Sequence, residues 1–130
     1  MSPVVLDANV VAGWLLPDED ALELGADVAF AAPQLLVYEL ANILIVAVRR
    51  GRIDPDGARE AETLASTLPI TYHPPPPMSD LLALATTHGL SAYDAAYLAL
   101  AKTEAAPLAT FDKALAVAAR SEGLEVRGAD

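Results

Sequence analysis

A chain of 130 residues that is 54% hydrophobic and 20% charged is neither a disordered segment nor a multidomain array. It has the length and apolar content of one domain spanning residues 1–130, with a substantial core. The net charge of −10 argues against a nucleic-acid surface built on Lys and Arg, unless several carboxylates form one site whose bound divalent cations present positive charge to an anion.

No apolar run is long enough to span a membrane; the longest, 40–48, is interrupted by Asn42. The opening residues read as a first strand with no basic leader, so no signal peptide is expected. The chain has no cysteine, which excludes disulfides and thiolate metal sites and suits a reducing cytoplasm.

Residues 3–7 form a short apolar run ending in an acid, Asp7, followed by Ala8-Asn9 and an apolar stretch over 10–16. This predicts strand, turn and helix. Pro17-Asp18-Glu19-Asp20 stops that helix and predicts a new one, its acids favourable at the N-terminus and otherwise a solvated first turn. A second strand is expected over 28–32, stopped by Pro33. The longest helix is expected over 34–50, with Glu39 and Asn42 three apart on a largely apolar face and Arg49-Arg50-Gly51 closing it. That polar pair is either an interhelical hydrogen-bond pair or the wall of a polar site. Trp14, Leu15 and Leu16 are equally consistent with core packing and with a partner groove. Arg49, Arg50 and Arg52 are consistent with a helix-end charge cluster or with contacts to RNA phosphates or a protein partner.

An amphipathic helix is expected over 54–67 with Pro55 near its start, then a strand over 68–72 and a stiff Pro74-Pro75-Pro76-Pro77 connector. Residues 79–88 form a further helix ended by Gly89. His73 and His88 fall at a loop and a helix end, where solvated or capping roles suit them. The next helix opens at Ser91, which can cap it, and runs free of Gly and Pro from Ala92 to Ala101. Asp94 lies in its first turn on a stripe with Leu90, Leu98 and Ala101 that is otherwise apolar. A buried unpaired charge is costly there, although Ser91-x-x-Asp94 also fits a capping box. Residues 107–110 are a fourth strand, 111–121 a turn and helix ended by Gly123, and 124–126 a last strand. Strands alternating with helices give an α/β fold, a three-layer α/β/α sandwich around a mainly parallel sheet of four or five short strands, whose ligands sit beyond the strands' carboxyl ends.

Asp7 and Asp112 fall at such strand ends, Asp94 in a first turn, and Glu39 on the helix after strand two. Each has a local alternative: Asp7 and Asp112 as helix caps, Asp94 in a capping box, Glu39 paired with Asn42. The parallel fold directs strand ends to one edge of the sheet. Two unit charges about 4 Å apart repel by about 4 kcal/mol at an effective dielectric near 20. Four neighbouring carboxylates therefore call for cations, and oxygen-only ligands select Mg²⁺ or Mn²⁺.

Four motifs now carry a resemblance. Val5-Leu6-Asp7-Ala8-Asn9, Pro33-Gln34-Leu35 with Tyr38-Glu39-Leu40-Ala41-Asn42, Leu90-Ser91-Ala92-Tyr93-Asp94-Ala95-Ala96-Tyr97-Leu98-Ala99-Leu100-Ala101, and Leu108-Ala109-Thr110-Phe111-Asp112 together resemble a PIN-domain ribonuclease of the VapC toxin type. The third is the most specific, and the match runs through essentially the whole chain. The resemblance implies a metal-dependent endoribonuclease; with no histidine in the motifs to drive 2′-hydroxyl attack, 5′-phosphate and 3′-hydroxyl product ends are expected. Asp7, Asp94 and Asp112 would hold Mg²⁺ or Mn²⁺, Glu39 would join directly or through water, and Asn9 and Thr110 would be polar supports. It also implies an RNA substrate, a small antitoxin partner and a homodimer, with no membrane association. Other readings are a PIN-like scaffold without activity, which loss of an acid would signal, and a Mg²⁺-dependent phosphotransfer protein. The latter class wants Asp-x-Asp after strand one, where this chain has Asp7-Ala8-Asn9.

Overall fold

The computed structural model describes residues 3–17 and 19–129. Five short strands, β1 (Val4–Leu6), β2 (Phe30–Pro33), β3 (Ile70–His73), β4 (Leu108–Thr110) and β5 (Val126–Gly128), form one sheet in the order β3-β2-β1-β4-β5. Every pairing is parallel. The helices are α1 (Ala8–Leu15), α2 (Leu35–Arg49), α3 (Pro55–Ser66), α4 (Met78–His88), α5 (Ala92–Glu104) and α6 (Lys113–Ser121).

β1 is central, and its side chains alternate between two cores. Val4 and Leu6 pack with Val10, Val11, Leu36 and Leu40 under α1 and α2. Val5 packs with Tyr97, Leu98, Leu108 and Leu115 under α5 and α6. A strand covered on both faces reads as a continuous apolar run, as Val4-Val5-Leu6 does. This is the expected three-layer α/β/α sandwich. From β1 the chain moves to β2 and β3 on one side, then returns to place β4 and β5 on the other. The reversal opens a crevice beyond the carboxyl ends of β1 and β4, where parallel sheets bind ligands.

Three local expectations need correction. Among the described residues, 19–29 contain no helix; Asp18, part of the predicted start, lies outside the described residues. Gly25 and Asp27 both take positive φ, which a right-handed helix does not accommodate. Leu22, Leu24 and Val28 instead pack against the α1–α2 core, and the Trp14 indole N–H donates to the Leu22 carbonyl at 2.7 Å.

Second, β2 begins at Phe30 instead of Val28, and Pro33 is its last residue rather than lying just beyond it. It is in register with His73, and pairing continues through the Gln34 amide to the His73 carbonyl. β1 has already stopped on the other side, so no donor is needed from the proline there. Third, the last strand is Val126–Gly128, two residues later than expected. Gly123, at φ +81, and the Leu124 amide bonded to Ala119 extend the close of α6.

α2 closes in a Schellman motif: the Gly51 amide bonds the Val48 carbonyl and the Arg52 amide bonds Ala47, with Gly51 at φ +71. No helix among the described residues is long and apolar enough to cross a membrane.

Candidate functional site

Asp7 directly follows β1 and is only 5% exposed. It occupies the N-cap position of α1, yet its side chain makes no capping hydrogen bond. Its Oδ2 instead accepts a 2.7 Å bond from the Thr110 hydroxyl at the end of β4. Thr110 is fully buried, and its Oγ1 in turn accepts from the Asp112 amide at 3.0 Å. One hydroxyl thus ties the two strand ends together, with an acid on each side of the crevice.

Asp112 is the N-cap of α6, Oδ1 accepting from the Leu115 amide at 2.9 Å. Asp94 enters from α5, where Ser91 Oγ accepts from the Asp94 amide at 3.1 Å. Among the described residues no bond from the Ser91 amide to the Asp94 carboxylate completes a capping box. Glu39 comes from α2 and does not pair with Asn42. Its Oε1 accepts a 2.6 Å bond from the Tyr97 hydroxyl, and Tyr97 has no exposed surface.

The acids feel one another's charge, Asp7 that of Asp94 and Glu39, and Asp94 that of Asp112 and Glu39. Burial pushes Asp7 up from its ordinary 3.8 to about 6; the Thr110 hydroxyl and Ala8 amide pull it back, and the charges of Asp94 and Glu39 raise it further. Asp94 is raised as well, by partial burial and then by Asp112 and Glu39. Tyr97 is held far above the usual tyrosine range by burial, by its bond to Glu39, and by the charges of Glu39, Asp7 and Asp94. Among the described residues none of the four acids pairs with Lys, Arg or His. No group of three or more His, Cys, Asp or Glu side chains among the described residues is drawn together closely enough to hold an ion. The acids therefore share a field without touching.

Asn9 is exposed and lines a groove of about 520 Å³ together with Asp112, Phe111, Ile43, Glu19, Asp20 and Arg52. Within it Arg52 pairs with Glu19 at 2.7 Å. His73 and His88 lie against Glu104 and Glu122.

Tyr97 was not among the residues the sequence singled out for the site. The available signal was its position one turn after Asp94 on an apolar helix, because a buried phenol must find an acceptor. The Arg52–Glu19 pair joins residues 33 apart, and no local pattern announces it.

The chain matches the PIN domain family over residues 4–121. It is 33% identical to "Ribonuclease VapC3" of Pyrobaculum aerophilum over 121 residues, 87% of this chain and 92% of that protein. Among solved structures it is similar to PAE2754 from P. aerophilum, with TM-score 0.71, 23% identity and coverage of 96% of this chain and 83% of that one. FitAcB from Neisseria gonorrhoeae gives TM-score 0.63 and 23% identity, covering 95% and 96%. With the fold, the match over most of the chain and a relative at this identity, the protein belongs to the PIN-domain family, in its VapC-type branch.

Proposed function

We propose that this protein is a divalent-metal-dependent endoribonuclease acting at Asp7, Glu39, Asp94 and Asp112, with Mg²⁺ or Mn²⁺ as cofactor. The observation that carries the reading is the Asp7 carboxylate, buried at the sheet's reversal point within the field of Asp94 and Glu39 and, among the described residues, paired with no cationic side chain. Hard oxygen donors of this kind suit a hard dication. The donor set, carboxylates with no thiolate or imidazole among them, fits such an ion chemically. The nuclease name of the 33% identical relative supports RNA as substrate.

Thr110 holds one oxygen of Asp7, Tyr97 one of Glu39 and the Leu115 amide one of Asp112. Those bonds fix the orientation of each carboxylate and leave its second oxygen for an ion. When bound, the cation would supply Lewis acidity toward a phosphodiester and a water of lowered pKa. The two histidines are engaged with glutamates elsewhere, so the reading gives them no part in 2′-hydroxyl attack, and products with 5′-phosphate and 3′-hydroxyl ends are expected.

The same reading includes an antitoxin partner, a homodimer and a cytoplasmic setting. The exposed Tyr38, Tyr93, Met78 and Leu82 offer apolar surface for one such contact, which light scattering with and without partner would measure.

RNA cleavage with Mn²⁺, with EDTA, and by Asp94→Asn tests the activity. Cleavage by the wild type with Mn²⁺, lost on chelation and in the variant, is expected. Metal-independent cutting, or full activity in Asp94→Asn, overturns the assignment.

A further inference from the structure

Eight Lys and Arg residues set against 18 acids leave an RNA backbone few places to hold. Several cations are already committed: Lys102 to Glu122, Arg127 to Glu125, Arg59 to Asp56, and Arg120 to the Ala129 carbonyl. Among the described residues Arg52 is the one cation lining the groove that contains Asn9 and Asp112. Its backbone is fixed by the Schellman close of α2, so the guanidinium projects from a defined point. Across from it, Glu19 is carried by the segment after α1. Gly13 allows that segment to lie close, since a Cβ there would collide with the Asp20 carbonyl.

We propose that Arg52 is a substrate-positioning residue that binds an RNA backbone phosphate in this groove, and that Glu19 is its resting counter-ion, displaced when RNA enters. The inference rests on the nuclease reading and adds to it how a strongly acidic chain grips its substrate. Both partners are nearly half exposed, so their ion pair is weak and easily exchanged. A phosphodiester offers the planar guanidinium two acceptor oxygens, as the carboxylate does, and a bidentate Arg–phosphate contact is among the strong charge-assisted hydrogen bonds. Glu19 therefore acts as a competitor: it keeps Arg52 extended over the groove and must give it up on binding. Arg49 and Arg50 do not line this groove.

The test uses a fluorescein-labelled pool of random-sequence single-stranded RNA, followed by anisotropy with EDTA present so that no turnover intervenes. Arg52→Gln is expected to weaken binding by roughly 5-fold and to reduce the slope of log Kd against log salt by about one. Glu19→Gln is expected to tighten binding by roughly 3-fold, and Asp20→Asn, which removes the same charge from the same rim, by distinctly less. In the Arg52→Gln background the gain from Glu19→Gln is expected to shrink to that of Asp20→Asn. Arg52→Lys should recover part of the affinity but less than the wild type. Thermal melts check that each variant is folded.

An unchanged Kd and salt slope in Arg52→Gln, or equal gains from Glu19→Gln and Asp20→Asn, overturns the proposal. Parallel cleavage assays with Mn²⁺ separate the two levels. A wild-type chain that cuts RNA beside an Arg52→Gln variant that binds and cuts like it refutes the pair's role alone. Failure of the wild type to cut refutes the nuclease reading.

Discussion

The Asp7 carboxyl loses most of its water where β1 ends, and among the described residues its one side-chain donor is a neutral hydroxyl. Its folded pKa of about 6 stands above the ordinary 3.8, so between those values the folded protein holds a proton that the unfolded chain has released. Stability is then fully present below about pH 4, falls as pH rises toward about 6, and is flat in this respect above that. A shift of this size corresponds to a loss of at most about 3 kcal/mol. Asp7→Asn keeps an acceptor for Thr110 and removes the charge. Without metal at neutral pH it is expected to be more stable than the wild type by about 2 kcal/mol, roughly 5–10 °C in melting temperature. The gap should close as pH is lowered to about 4. Melts of both proteins across this range, with EDTA, check the sign; a gap that widens on acidification refutes it. At Tyr97 the expectation runs differently. Tyr97→Phe keeps the packing but takes the hydroxyl from Glu39, and loss of an orienting partner of this kind typically costs 10–100-fold in metal affinity or activity. Isothermal titration with Mn²⁺ is expected to show a Kd raised by about 10-fold, while far-UV circular dichroism stays that of the wild type.

At the scale of elements, α5 shows how far a sequence reading reaches. Its start was legible because Ser91 is a good N-cap before a run free of Gly and Pro, and the Ser91 hydroxyl does accept from the Asp94 amide. Ser91→Ala is expected to lower stability by about 1 kcal/mol. Its end was not legible. Ala105 takes a left-handed conformation at φ 49, with the Ala106 amide bonded to Ala101, a close in which glycine is usual. Ala105→Gly is expected to raise stability by about 0.5–1 kcal/mol, since relief of the Cβ clash exceeds the added chain entropy. Urea melts of the two variants should move in opposite directions. The strand and helix alternation, and with it the sheet, could be read because parallel strands here are short unbroken apolar runs. The segment after α1 was misread as helical. Its acids suit a helix N-terminus, but Asp27 adopts positive φ and Leu22 and Leu24 follow the core rather than a helical stripe. Local propensity lost there to packing against Trp14. The Thr110 hydroxyl bonds Asp7, 103 residues away in the chain, and no local pattern announces that contact. The bond from Tyr97 to Glu39 joins residues 58 apart, and only the assembled layers bring them together.

The candidate site belongs to the whole molecule, because its acids come from the ends of β1 and β4, from α2 on one face of the sheet and from α5 on the other. An ion held by all of them binds only the folded chain, and therefore stabilises the global fold by mass action. At a free Mn²⁺ concentration about 100 times Kd the gain is about 2.7 kcal/mol, roughly 10 °C for a domain of this size. Binding must also displace the proton that Asp7 keeps up to about pH 6, so the gain should be larger at pH 8 than at pH 5. EDTA should abolish it. Asp7→Asn and Asp94→Asn should lose most of the metal-induced shift even though each melts higher than the wild type without metal. Asp56→Asn, an exposed acid of α3 paired with Arg59, should retain it. Differential scanning fluorimetry of the four proteins at the two pH values separates a shared site from general screening of a chain with net charge −10. Screening would stabilise all four alike, with no dependence on which acid had been removed, and that outcome would mean the four acids do not act together.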